Sequence, residues 1–352
     1  MSNVISDVTE ITELARQICP VWPLYWLAHV PIVRTALRDA YAWVVRHRNC
    51  FGGKCHIGAG LGGFARDFLR WAPPAVLPVL AASCGPNLPG WVWMWVMAVA
   101  LFIGAKWLTI SRWVFSKGRA RRHRLLTYFF LWPGMNPRAF CANGSVPTPP
   151  TREWILAGAK TLSGVVLVWF GARFFGASHP LVTGWAGMIG LVFLLHFGAF
   201  HLLSLIWRAL GINAMPIMQS PGSATSLARF WGGNWNVAFS ELMQEHIFKP
   251  MARRLGARRA LFAIFLISGL LHELVISLPA RGGYGLPTLY FAIQGLGLLL
   301  EHSNRGRDRG LGSGWKGWCF VALVSGAPAF WLFHPTFIHN VILPMLHAIG
   351  AT

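Results

Sequence analysis

The sequence predicts an all-α, polytopic integral membrane protein with about eight or nine spans and amphipathic surface helices. Three observations carry that reading. Of 352 residues, 55% are hydrophobic and only 12% are charged, too little polar surface to coat this many apolar helices in water. The apolar residues fall in runs long enough to cross a bilayer, and short basic loops separate the runs. The short alternating segments of a transmembrane barrel are missing, which leaves helices as the way to satisfy the backbone in lipid.

Taken in order, residues 1–72 mix apolar positions with Arg34, Arg38, Arg46, Arg48, Lys54, Arg66 and Arg70. They are expected to form an N-terminal amphipathic region on the cytoplasmic membrane surface, followed by a transmembrane domain over residues 73–352. The opening MSNVISDVTEITELARQ is polar and acidic, unlike a cleaved signal peptide. PPAVLPVLAASCG, from Pro73, is short and proline-rich and makes a poor first span, whereas LPGWVWMWVMAVALFIGAKWLTI, from Leu88, makes a clear one. The strongly basic run SRWVFSKGRARRHR, residues 111–124, belongs in the cytoplasm. In LLTYFFLWPGMNPRAF the residues Pro133, Gly134 and Pro137 prevent a simple straight helix.

After the polar loop NGSVPTPPTRE, further apolar runs begin near Trp154, Leu181, Ala260, Leu286, Trp315 and Phe337. Their parity is consistent. With residues 111–124 inside, the two spans near 154–175 and 181–207 return the chain to the cytoplasm before KPMARRLGARR, residues 249–259. The next hairpin, around ARGGYG, returns it before NRGRDRG, residues 304–310, so three basic loops share one side. Between Pro221 and Pro250, SLARFWGGNWNVAFSELMQEHIFKP is amphipathic, and an interfacial or re-entrant segment is expected there.

Lysine and arginine total 31 against 11 acids, a formal charge of +20. In a soluble chain that would suggest nucleic acid, but here the basic residues cluster between apolar runs and no zinc finger or RNP-type motif accompanies them, so no nucleic-acid partner is expected. The cysteines Cys19, Cys50, Cys55, Cys84, Cys141 and Cys319 are scattered. Cys50, Cys55 and His56 lack a second pair of ligands at zinc spacing, and no metal site is expected.

Three histidines sit in apolar sequence: His196 and His201 in LLHFGAFHLLSLIW, and His272, followed by Glu273, in SGLLHEL. Ionisable groups at membrane depth are costly and mark function. HELVI lacks the second histidine of an HExxH zinc site, the GSGW near residue 314 is no GxSxG elbow, and GLGG and GGYGLP lack the setting of a phosphate loop. What remains is a neutral imidazole, either a hydrogen-bonded structural group or a base able to take a proton from an alcohol as it attacks an activated acyl group. Amides of Asn234 or Asn236 are candidate donors to the developing oxyanion or the acyl carbonyl. Adjacent helical residues point about 100° apart, so Glu273 is expected to bind a neighbouring helix or a basic residue rather than orient His272.

SLARFWGGNWN, SGLLHELVISLPARGGYGLPTLYFAIQGLG and LFHPTFIHNVILPMLHAIG, with PGMNPRAF and LLSLIWRALGINAMPIMQSP upstream, resemble the wax synthase branch of the membrane-bound O-acyltransferase (MBOAT) superfamily over about residues 130–350. The resemblance implies an MBOAT-like helical bundle that transfers a fatty acyl group from acyl-CoA to a long-chain alcohol in an intramembrane tunnel, forming a wax ester by direct attack. It implies no cofactor beyond the acyl-CoA substrate. It makes His272 the catalytic base and places Asn236 beside the acyl thioester. Trp231 and Trp235 then wall the tunnel, and Phe230, Asn234 and Glu273 complete the substrate-binding set.

The chain departs from the family at one point. Many relatives read FWGRRWN, but Gly233 and Asn234 stand here in place of the two arginines. Binding of the coenzyme A phosphates or pantetheine arm then falls to residues such as Lys249, Arg253 or Arg254. Other acceptors (diacylglycerol, a sterol, another hydroxyl) are alternatives, as is a proton-linked transporter in which His196, His201, His272 and Glu273 line a path. The organisation points to a bacterial inner membrane, or to the endoplasmic reticulum for a eukaryotic homologue; the sequence is silent on oligomeric state.

Overall fold

A computed structural model describes residues 63–115, 122–142, 144, 146–176 and 178–352. The surface helices expected over residues 1–62, the group Cys50, Cys55 and His56, and much of the basic run 111–124 lie outside them. The regular structure of the described residues is all helical, without strands. Residues 63–88 and 96–115 belong to one compact unit, and 89–95 and 122–352 to the other.

In the first unit the proline-rich stretch is helical. The helix Gly63–Cys84 contains Pro73, Pro74 and Pro78 and runs through the expected boundary between residues 72 and 73. Gly104 makes room for it: a Cβ there would stand 2.8 Å from the Pro74 Cα. Trp107 Nε1 donates to the Leu69 carbonyl at 2.7 Å, which fixes the same contact.

Among the described residues four helices are long and apolar enough to cross a membrane: Gly90–Trp113, Thr151–Phe175, Pro180–Ala209 and Ala257–Ala280. A fifth candidate is the pair Gly314–Leu332 and Pro335–Ala348, bent by 56° at its break, and Leu286–Glu301 is a shorter apolar helix. The described residues thus hold four or five span-length elements, fewer than the eight or nine expected.

In the second unit small residues let backbones touch, as helix packing in lipid requires. A Cβ on Gly164 would lie 2.4 Å from the Leu194 nitrogen, and one on Gly190 would lie 2.8 Å from that of Val168, so Thr151–Phe175 and Pro180–Ala209 meet backbone to backbone. Gly184 and Gly187 on the second of these helices admit Ile338 and Leu346 from the C-terminal helix, both fully buried. His201 is spoken for in this hairpin. Its Nε2 lies 3.1 Å from Glu153 Oε1, which also accepts from Arg208 Nη1 at 2.7 Å.

Between these helices and Ala257–Ala280 the chain is broken into short pieces, none of them of span length. Leu227–Arg229 runs into a π turn at Phe230–Asn234; Val237–Met243 follows, then a π turn at Gln244–Phe248 and Lys249–Leu255. The PGMNPRAF motif supports this region. Asn136 Oδ1 accepts from the Ala139 nitrogen and so caps Pro137–Cys141, while its Nδ2 donates to Glu241 Oε1 at 3.4 Å. Burial pushes the Glu241 carboxyl above its ordinary range, and the Glu245 charge acts in the same direction against the Asn136 hydrogen bond.

Candidate active site

His272 ends the α-helical part of Ala257–Ala280, and a π turn, Glu273–Ser277, follows it directly. Its Nδ1 stands 2.7 Å from the Ser268 carbonyl, one helical turn back. A carbonyl only accepts, so Nδ1 carries the proton and the neutral ring presents Nε2 as a bare acceptor. The ring packs on Phe291, with centroids 4.4 Å apart. Phe291 belongs to Leu286–Glu301, which approaches closely because a Cβ on Gly269 would meet the Thr288 Cα at 2.7 Å.

Glu273 turns away from His272 toward that neighbouring helix, as the 100° step requires. Its Oε1 accepts from the Gly285 and Thr288 nitrogens, each at 3.0 Å, and from Thr288 Oγ1 at 2.9 Å. The carboxylate therefore caps the N-terminus of Leu286–Glu301, where negative charge is favoured. Its partners are backbone and hydroxyl groups rather than a basic residue.

Trp231 joins the FWGGN turn to this centre. Its ring lies 5.6 Å from Phe291 and 6.0 Å from Phe265, and its Nε1 donates to Gln294 Oε1 at 3.3 Å. Gln294 is fully buried and donates in turn to the Val324 carbonyl at 2.7 Å. Phe230 touches Trp231 at 5.0 Å and stacks on Trp235 at 5.8 Å. His272, Phe291, Trp231, Phe230 and Trp235 form one continuous series of ring contacts. At the far end of the Leu286–Glu301 helix, Glu301, 4% exposed, takes the amides of Leu227 at 2.5 Å and Ala228 at 3.2 Å and fixes where the FWGGN segment starts.

The two asparagines differ. Asn234 is buried, and its Nδ2 donates to the carbonyls of Gln219 and Ser220, leaving no proton for an oxyanion; its Oδ1 is buried without a partner among the described residues. Asn236 adopts the left-handed conformation, φ 43°, and caps Val237–Met243 by accepting from the Phe239 nitrogen at 3.2 Å. That bond uses its oxygen, and its Nδ2 donates to no group among the described residues. Asn236 and His272 are not hydrogen-bonded to each other; the ring series that starts at His272 ends at Trp235, the residue before Asn236.

A Cβ at Gly233 would meet nothing within 4 Å, so packing does not exclude an arginine there. Lys249 pairs with Glu245, one turn back, and Arg253 and Arg254 are exposed on the same short helix, which brings none of the three to the His272 ring. His196 lies in another π turn, Phe193–Ala199, beside Phe200 at 5.5 Å, and its buried Nδ1 has no partner among the described residues. A cleft of about 620 Å³ opens between Arg173, Thr183, His339, Leu343 and His347, and none of the candidate residues lines it.

Sequence reasoning missed Phe291, Gln294 and Glu301. The signal was available for two of them, since an amide and a carboxylate interrupt LYFAIQGLGLLLE as His272 interrupts its own run.

Comparison with known proteins falls on this same region. Residues 214–293 match the Membrane bound O-acyl transferase family. The chain is 30% identical over 152 residues to Probable long-chain-alcohol O-fatty-acyltransferase 2 of Arabidopsis thaliana, covering 39% of this chain and 43% of the relative. It is 35% identical over 101 residues to number 9 of the same Arabidopsis series, covering 26% of this chain and 30% of the relative. With the Long-chain-alcohol O-fatty-acyltransferase of Simmondsia chinensis it shares 28% over 146 residues, 37% of this chain and 40% of the relative. The chain thus aligns with less than half the length of these relatives. The matched segment contains the imidazole, both asparagines and the tryptophans, and over that segment the chain is similar to the membrane bound O-acyl transferase family and to long-chain-alcohol O-fatty-acyltransferases.

Proposed function

We propose that this protein is a membrane-embedded O-acyltransferase that moves a fatty acyl group from acyl-CoA to a long-chain alcohol, forming a wax ester. One observation carries the mechanism: the Ser268 carbonyl holds the proton of His272 on Nδ1, so Nε2 is the free base. Nε2 takes the proton of the alcohol as its oxygen attacks the thioester carbonyl. The unused Nδ2 of Asn236 donates to the oxygen on which charge develops. Collapse of the tetrahedral species breaks the carbon–sulfur bond, and the imidazolium returns its proton to the leaving thiolate. No acyl-enzyme forms, and no cofactor is needed beyond the acyl-CoA substrate.

The names and matched segment of the relatives support the reaction class, and the apolar wall of Phe291, Trp231, Phe230 and Trp235 suits a long-chain acceptor. The coenzyme A phosphates fall to the exposed cations Arg253, Arg254 and Lys249. Leu286–Glu301 and Gly63–Cys84 act as further spans and, with the bent C-terminal pair, bring the total toward about eight or nine. The compartment that fits is a bacterial inner membrane.

The test is ester formation by purified protein in detergent from radiolabelled palmitoyl-CoA with hexadecanol or diacylglycerol, for wild type and His272→Ala. A wax ester whose formation falls by about 10²–10⁴-fold in the folded variant is expected. Equal rates in the two proteins, or no ester from folded wild type with any alcohol, would overturn the proposal; a diacylglycerol product would retain the reaction and change the acceptor.

A further inference from the structure

His334 stands outside the machinery described so far, in the break between Gly314–Leu332 and Pro335–Ala348. It is 1% exposed. Its Nδ1 accepts from the Phe337 nitrogen at 3.1 Å, capping the next turn, so the neutral ring carries its proton on Nε2. That Nε2 is buried and has no hydrogen-bond partner among the described residues.

The ring lies against the ARGGYG loop. A Cβ on Gly283 would come within 2.2 Å of Cε1 and 2.3 Å of Nε2, and Gly283 has φ +72°, so glycine is required there on both counts. Two residues further on, the Gly285 nitrogen is the one that donates to Glu273 Oε1. Imidazole and carboxylate therefore share one three-residue turn. The other carboxylate oxygen, Glu273 Oε2, is also buried and without a partner. The two groups are not hydrogen-bonded to each other.

A buried donor and a buried acceptor, both unused and on one turn, define a ligand by its chemistry. An anion would face a carboxylate oxygen, and a cation would face an N–H. A hydroxyl accepts from the one and donates to the other. We propose that His334 Nε2 and Glu273 Oε2 together bind one hydroxyl oxygen, either of the acceptor alcohol or of a resident water. Glu273 follows His272 directly; the Ser277 and Thr288 hydroxyls beside the turn are engaged with the Gly283 carbonyl and Glu273 Oε1, and Thr336 packs against Gly282. The alcohol form of this site deepens the acyl-transfer reading and rests on it: the hydroxyl docks here before it moves to His272 Nε2, since the one proton it gives to Glu273 Oε2 cannot at the same time pass to the base. The water form does not rest on that reading.

An experimental density map of the wild type in nanodiscs, with and without hexadecanol, tests the oxygen directly. A peak within hydrogen-bond reach of both atoms is expected: isolated in both maps for a water, continuous with a chain in the second for the alcohol. No such peak in either map overturns the site.

Two variants separate binding from capping. His334→Asn keeps an acceptor near Nδ1 for the Phe337 amide and removes the Nε2 donor, whereas His334→Gln keeps a donor near Nε2 and removes the cap. If the alcohol occupies the site, His334→Asn raises the hexadecanol KM about tenfold or more with the palmitoyl-CoA KM unchanged. If a water does, kcat falls and both KM values hold. His334→Gln restores the wild-type pattern in either case. Wild-type constants in His334→Asn would sink the proposal, whereas a wild type that makes no ester would sink the acyl-transfer reading and leave the map as the test of the oxygen.

Discussion

Replacing Glu301 should loosen the FWGGN segment out of proportion to the size of the change. Its two oxygens take the amides of Leu227 and Ala228, and Ser226 Oγ takes that of Arg229, so side chains satisfy all three amides of this short helix. Hydrogen bonds to a charged group contribute about 1.5–3 kcal/mol each, so Glu301→Ala should cost about 3–6 kcal/mol. Ser226→Ala loses one capping bond and should cost about 1 kcal/mol. Glu301→Gln is the sharper test. It has nearly the same shape but can accept with one atom only, and its amide protons face a second donor, so a loss of about 2–4 kcal/mol is expected. Equilibrium unfolding in mixed micelles, followed by tryptophan fluorescence, gives the three values. If Glu301→Gln is as stable as wild type, Glu301 merely fills space, and its role in placing Trp231 is refuted.

Two further substitutions follow from the geometry. Gly233→Arg installs the side chain that the family resemblance leads one to expect, at a position with open space around it; stability should change by no more than about 0.5 kcal/mol, while on the proposed reaction the KM for palmitoyl-CoA falls, and an unchanged KM would dissociate that arginine from coenzyme A binding. Glu241→Gln removes a carboxyl that burial pushes upward. A raised folded-state value makes the wild type's contribution fully present at acid pH and lost as pH rises through that value, so the variant should match wild type in acid and exceed it in thermal stability above the ordinary carboxylate range. A difference that is constant with pH, or largest in acid, would contradict the assignment.

Much of this was legible before any coordinates. Apolar runs gave the long helices, and the imidazole and carboxylate in LLHEL stood out because such groups are expensive in lipid. The 100° step correctly sent Glu273 toward another helix, although its partners are the Gly285 and Thr288 amides and a hydroxyl. Local pattern could not say which of two asparagines keeps a free donor. Asn234 and Asn236 differ by backbone conformation and by the loop at residues 219 and 220, neither of which a motif displays. Nor could it pair Glu301 with Leu227, 74 residues away, or bring His334 to the loop after Glu273. The proline-rich stretch from Pro73 is helical because Gly104 accommodates it, a compensation supplied from elsewhere in the chain.

The π turns have a consequence for inheritance. Six occur among the described residues, at Leu167–Gly171, Phe193–Ala199, Phe230–Asn234, Gln244–Phe248, Glu273–Ser277 and Ile338–Ile342. A π turn holds one residue more than an α-helical turn in the same place would, without loss of the helix around it. His196, Trp231, Glu273 and His339 all lie within such turns, and His272 borders one. Losing one codon in a turn would rotate every later side chain of that helix by about 100° while leaving each residue's identity intact. Ancestry at this site is therefore written in spacing as much as in residue type, and a descendant can keep both His272 and Glu273 yet no longer present them to the same neighbours.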